Sequence, residues 1–101
     1  MHKLVYLPSA QEDLRGIVNY IADVLKAPEA AVDLVDVLDH SIRRLQMFPY
    51  SCRVFQPIEP LLDEYRVMPV NNYLIFYVVT ESEVEIRRII YAKMDTQTII
   101  K

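Results

Sequence analysis

Glycine is almost missing from this chain of 101 residues: Gly16 stands alone, beside six prolines. So little flexible backbone predicts long segments and few tight turns. Cysteine is as scarce. Cys52 alone supports neither a disulfide framework nor a Cys-based metal site. The two histidines, His2 at the terminus and His40 on a helical stretch, have no metal-ligand company, so neither a metal nor a cofactor is expected. Basic charge is not in excess, with 14 acidic residues against 11 basic and a net charge of -3. A generic nucleic-acid binder carries surplus basic charge. The balance argues against a dedicated RNA or DNA protein while leaving room for a local basic cluster. No apolar run approaches the roughly 18 residues a membrane span needs, and the N-terminus lacks a signal-peptide pattern. The expected place is the cytoplasm.

What the chain does have is apolar residues, 52% of the total. At this length they suffice for one domain spanning residues 1–101. Tyr73-Leu74-Ile75-Phe76-Tyr77-Val78-Val79 is rich in aromatic and β-branched residues on both faces, the pattern of a strand buried on two sides. A polar turn, Thr80 to Glu83, follows it. Val84 to Tyr91 alternates less cleanly and carries Arg87 and Arg88, so the two stretches make a hairpin.

Ahead of that hairpin, His2 to Leu7 reads as a short strand that Pro8 stops. Ser9 and Glu12 have capping-box spacing. Leu14, Ile17, Val18, Ile21, Val24 and Leu25 recur at helical spacing, which predicts a helix from about Ser9 to about Leu25. Pro28 suits the first turn of a second helix, with Ala31, Leu34, Val35, Leu38, Ile42, Leu45 and Phe48 as its apolar stripe and Pro49 as its stop. Asp33, Asp36 and Asp39 lie off that stripe as a solvated face. The link between the helices is short enough to require an antiparallel helical hairpin. Pro49 to Pro60 predicts a loop with a short strand near Arg53 to Gln56, and Asp63 to Val67 a further strand. Asn71-Asn72 suits a turn, and Asp95 to Lys101 reads as a loose tail or a short final strand. The fold class is α+β: a strand, a helical hairpin, then a mostly antiparallel sheet of three or four strands, with the helices on one face and the other face left for a macromolecular partner.

An ordered set of residues resembles the RelE/ParE superfamily of toxins from bacterial type II toxin–antitoxin modules, over nearly the whole chain. It comprises Pro8-Ser9-Ala10 after the opening strand, Leu45-x-x-Phe48-Pro49, Tyr65-Arg66-Val67, Asn72 to Tyr77, and Arg88 to Asp95. Members resembling RelE cleave messenger RNA on the ribosome, and typically carry an Arg directly after the position matching Tyr73. Here that position is Leu74. Members resembling ParE have an apolar residue there and end in a motif like His-Gly-Arg-Met-Asp, which Tyr91-Ala92-Lys93-Met94-Asp95 matches in shape. The resemblance therefore leans to the ParE branch, whose members poison DNA gyrase by binding.

Each candidate residue has a functional and a structural reading. Arg66 is a bidentate donor to a phosphate or an acidic antitoxin segment, or else a strand-edge ion pair with Glu64 or Glu85. Arg53, Arg88 and Lys93 form a positive patch for target or nucleic acid if the late strands bring them together, and Arg87 pairs with a nearby glutamate. Tyr91, where relatives carry His, is a poor general base at neutral pH and otherwise a half-buried strand aromatic. Glu59, beside Pro60, lacks companions and reads as loop chemistry. Three functions compete. The first is a ParE-like gyrase inhibitor neutralised by a cognate antitoxin in a hetero-oligomer. The second is a ribosome-dependent endoribonuclease acting on mRNA through Arg66, Tyr91 and Lys93. The third is a non-toxic binding module of the same fold.

Overall fold

The computed structural model describes residues 1–100, the side chain of Thr98 excepted. A first strand, β1 (Lys3–Tyr6), leads directly into helix α1 (Pro8–Asn19). Pro8 occupies the first helical position, where its missing N–H leaves no bond unmade. The expected capping box does not form. Leu7 is the N-cap and no side chain caps it, so Ser9 and Glu12 lie two positions too far into the helix to reciprocate. The Gln11 side-chain amide instead donates to the Tyr6 carbonyl at 2.9 Å.

The helix also does not stay regular to Leu25. It widens into a π turn over Tyr20–Val24, with the Leu25 N–H donating five residues back to Tyr20 at 3.0 Å. Lys26 then takes a φ of 55°, a left-handed conformation that costs a residue with a Cβ about 1–2 kcal/mol. Pro28 opens α2 (Pro28–Arg43) as expected. A 3-10 turn, Arg44–Gln46, finishes that helix and buries Leu45. Because the chain tightens there, Phe48 leaves the predicted stripe and is 64% exposed, while Pro49 is buried in its place.

The remaining strands are β2 (Arg66–Val70), β3 (Tyr73–Val79) and β4 (Glu83–Tyr91). The sheet order is β1-β4-β3-β2, parallel between β1 and β4 and antiparallel elsewhere. The predicted strand at Asp63 to Val67 is displaced. Asn71-Asn72 forms the two-residue turn, Asn71 at φ 52°, and thereby sets Val70 opposite Tyr73 and Arg66 opposite Tyr77. Pro69 is tolerated because β2 is an edge strand with no outer ladder to supply. The expected strand at Arg53 to Gln56 shrinks to one bridge, Val54 to Arg66. The uneven alternation of β4 is a β-bulge: Phe76 faces Arg88 and Tyr77 faces Ile86, leaving Arg87 as the extra residue. It shifts the inward phase from Val84 and Ile86 to Ile89.

Both faces of β3 are covered, as its composition requires. On one side Ile75 and Tyr77 pack with Ala10, Leu34, Leu38, Ile42 and Leu45 from the helices. The opposite face is not left open. Phe76, Val78, Val67 and Ile90 meet Phe55, Tyr65 and Ile100 in a second, smaller core, with Phe55 edge-on to Phe76 at 5.1 Å. The last segment is neither tail nor strand over its described part but a short helix, α3 (Thr96–Ile99), which the Asp95 side chain caps by accepting from the Gln97 N–H at 3.1 Å. Lys101 lies outside the described residues. No helix among the described residues is long and apolar enough to cross a membrane.

Two tyrosines make this core sensitive to pH and to truncation. Burial, with Asp39 adding to it, raises the Tyr6 phenol from 10.0 to about 12, and burial raises Tyr77 as well. An unfolded phenol titrates near 10, so folding favours the protonated form. Stability is full below about pH 10 and is lost as pH climbs toward 12. Urea midpoints should fall across that window, and Tyr6→Phe should make the fall shallower. The Tyr77 hydroxyl donates to the buried Pro49 carbonyl at 3.0 Å. Tyr77→Phe orphans that acceptor and should cost about 1–3 kcal/mol in the same unfolding assay.

Candidate functional site

The apolar face of α1 is wider than the sheet beneath it can cover. Where the helix widens, Ile17, Tyr20, Ile21 and Leu25 overhang the ends of β3 and β4, and Tyr73, Tyr91 and Met94 rise opposite them. Between them runs a groove of about 900 Å³. Its rim is apolar and in water: Tyr20, Leu25 and Met94 are exposed, and Tyr91 stands edge-on to Tyr73 at 5.8 Å. Gly16 lines it too, and a Cβ there would meet nothing within 4 Å.

One ion pair crosses the wall of this groove. Asp13 lies on the buried stripe of α1, between Ala10 and Ile17, and reaches β4. Its carboxylate accepts from Arg88 Nε at 2.7 Å and Nη2 at 3.0 Å, and from the Ile89 N–H at 2.9 Å. The bidentate fork fixes geometry as well as charge. Its hydrogen bond raises the Arg88 pKa above the ordinary value against the opposing effect of burial. Burial, then the neighbouring Tyr91 and Tyr20, raises the Tyr73 pKa above the ordinary value. Among the described residues the groove holds no histidine, cysteine or lysine. His2 bonds the Thr80 carbonyl instead, and His40 is exposed on α2. Among the described residues no three of His, Cys, Asp and Glu gather as metal ligands would.

The candidate residues divide between two regions. Arg88 and Tyr91 line the groove, and Lys93 is exposed in the turn beyond it. Arg53 and Arg66 lie at the far edge, beside β2. The Arg53 carbonyl accepts from Val67, which faces Phe76, which faces Arg88. Three strand spacings therefore separate Arg53 from Arg88, about 14 Å of sheet, so the basic residues do not gather into one patch. Arg66 points into the loop before β2. It donates to the Cys52 carbonyl at 2.6 Å, lies over the Tyr50 ring at 5.0 Å, and reaches Glu64 at 3.7 Å. Arg87 pairs with Glu85 at 2.7 Å along its own strand and with Asp63 at 3.3 Å. Glu59 is exposed in the 57–63 loop. Asp13 was not among the sequence candidates. Its signal was a carboxylate standing on the apolar side of an amphipathic helix.

A family model described as "ParE toxin of type II toxin-antitoxin system, parDE" matches residues 4–96. The chain belongs to the ParE toxin family. Its fold is shared with a solved structure of the chromosomal ParDE TA system from P. aeruginosa, at a TM-score of 0.73 and 21% identity, covering 92% of this chain and 98% of that one. No curated relative matches the chain. Family membership agrees with Leu74 following Tyr73 and with the exposed Tyr91-Ala92-Lys93-Met94-Asp95 stretch at the end of β4.

Asp13→Ala removes three acceptor contacts at once. It should lower unfolding stability by roughly 1–3 kcal/mol and speed amide exchange at Ile89, while Asp13→Asn, which keeps one acceptor oxygen, should lose less.

Proposed function

We propose that the chain stops growth by binding DNA gyrase in the cytoplasm, without bond-breaking chemistry of its own, and that a cognate antitoxin silences it by filling the groove. The observation that carries this reading is the groove's chemistry. It is apolar and half-open, and its arginine is committed to Asp13. Such a surface suits a helix or extended segment laid into it. Among the described residues its lining includes no histidine to take a proton from a ribose hydroxyl. Membership of the ParE family supports a toxin of a type II system, and the resemblance to gyrase-poisoning members supplies the target. Lys93, exposed and in no ion pair among the described residues, is the residue proposed to meet that target, together with Arg53. Arg66 and Arg88 contribute by holding the elements that present them.

Two measurements test this. Supercoiling of relaxed plasmid by gyrase should be blocked by the purified chain and restored by its antitoxin, and Lys93→Glu should weaken the block. No inhibition at excess chain removes the gyrase assignment, and new cleavage ends in translated messages after induction would make it a ribonuclease. For the antitoxin, Gly16→Leu is decisive. A Cβ there meets no neighbour within 4 Å and the change improves helix propensity by about 1 kcal/mol, yet it should abolish antitoxin binding in a pull-down. Retained binding would place the antitoxin elsewhere.

A further inference from the structure

The chain has seven tyrosines, and three of them line the groove. Tyr20 comes from the π turn that widens the helix, Tyr73 from the start of β3 and Tyr91 from the end of β4. Tyr73 is the middle member. It stands edge-on to Tyr91 at 5.8 Å, and after burial it is Tyr91 and then Tyr20 that raise its pKa. Tyr20 and Tyr91 are exposed. An edge-on contact covers a face of only one ring of a pair, so aromatic faces in the groove stay open.

Elsewhere this fold places cations on such faces. Arg66 lies over the Tyr50 ring at 5.0 Å, and Arg87 lies over the Tyr65 ring at 5.6 Å. Among the described residues no cation of the chain lies over Tyr20, Tyr73 or Tyr91. Arg88, the arginine that lines the groove, is turned to Asp13. Lys26 and Lys93 neighbour lining residues in sequence without lining the groove themselves. With Asp13 and Arg88 cancelling, the charge left in the lining is Glu12, exposed and, among the described residues, in no ion pair. The surface therefore lacks a cation where both its rings and its net charge favour one. A ring face attracts a cation electrostatically, and more strongly once water is expelled. A purely aliphatic occupant would take phenol hydroxyls out of water without a partner, whereas an ammonium or guanidinium can donate to them.

We infer that the segment filling the groove carries a lysine or arginine whose charged head sits among Tyr20, Tyr73 and Tyr91, while its apolar side chains cover Ile17, Ile21 and Leu25. Glu12, two helical turns before Tyr20, biases the same groove toward a basic occupant. The inference rests on reading the groove as the antitoxin's docking site, and it adds what that antitoxin has to bring. Specificity then lies in the three rings, because apolar contact alone accepts any amphipathic helix of the right size.

Fluorescence anisotropy tests it with a labelled amphipathic helical peptide, leucines forming its apolar stripe, made in three versions that differ at one central position of that stripe: lysine, norleucine or glutamate. Norleucine keeps most of the stem of lysine and lacks its charge. The lysine peptide should bind about three- to tenfold more tightly than the norleucine peptide, and the glutamate peptide most weakly. Tyr20→Leu with Tyr91→Leu keeps the groove apolar and should erase the preference for lysine while the norleucine peptide still binds. Glu12→Gln, which removes a charge but no ring, should reduce the preference by less. Arg44→Glu, at the far end of α2, should change nothing. Circular dichroism melts establish that each variant is folded. Equal binding of the lysine and norleucine peptides, both lost in Gly16→Leu, would overturn this inference and leave the groove as a docking site. So would a lysine preference that survives the loss of both tyrosines. Peptides that bind Gly16→Leu as well as the unaltered chain, or no binding by any of the three, would overturn the inference together with the groove reading.

Discussion

A strand with apolar side chains on both faces has to be covered twice, and β3 imposes that demand on a chain of 101 residues. The helical hairpin covers one face. The other is closed by material with little structure of its own: the loop around Phe55 and Tyr65, and the short helix that brings in Ile100. The loop is tied down by donors from the sheet, Tyr77 and Arg66, and the helix by Gln97, whose side-chain carbonyl accepts from the Ile58 N–H at 2.8 Å. Burial of β3 drives folding, and these polar tethers decide which covering segment lies where.

The groove follows from the same economy. α1 is anchored to β4 by Asp13, Arg88 and the Ile89 N–H, near its first turns. Beyond that anchor the helix widens and its apolar side chains overhang the sheet without a layer beneath them. A ParE toxin is thereby left with an apolar surface that water alone covers, which is the condition for a partner to gain free energy by filling it. The charged residues divide accordingly. Arg66, Arg87 and Arg88 hold pieces of the fold together, while Arg44, Arg53 and Lys93 face solvent on three different elements.

Much of the architecture was legible because it depends on local rules. The bounds of β3 were read correctly from its apolar run, Pro28 from its place at a helix start, and the Asn71-Asn72 turn from its residue types. The errors have a common cause in pairing and packing at a distance. Ser9 and Glu12 had the spacing of a cap, but Pro8 could begin the helix as well as end a strand. Phe48 had the right period for the core, and a tightened last turn swung it out. Arg53, Arg88 and Lys93 were expected to form one patch only if the late strands brought them to one face, and sequence carries no information about which side of a sheet a loop returns to.

Composition, hydrophobic period and turn residues were enough to determine an α+β chain with two helices and a doubly buried strand, and an ordered set of short motifs carried the resemblance to the ParE family. These are properties of neighbours along the chain, set by sterics and by the need to bury apolar surface. Tertiary structure alone decided that Asp13 meets Arg88 seventy-five residues away, that the bulge at Arg87 turns Ile89 inward, and that the face opposite the helices is closed while a groove beside α1 stays open. Those outcomes depend on strand register and on how far a helix overhangs its sheet, and neither is encoded in any stretch short enough to read on its own.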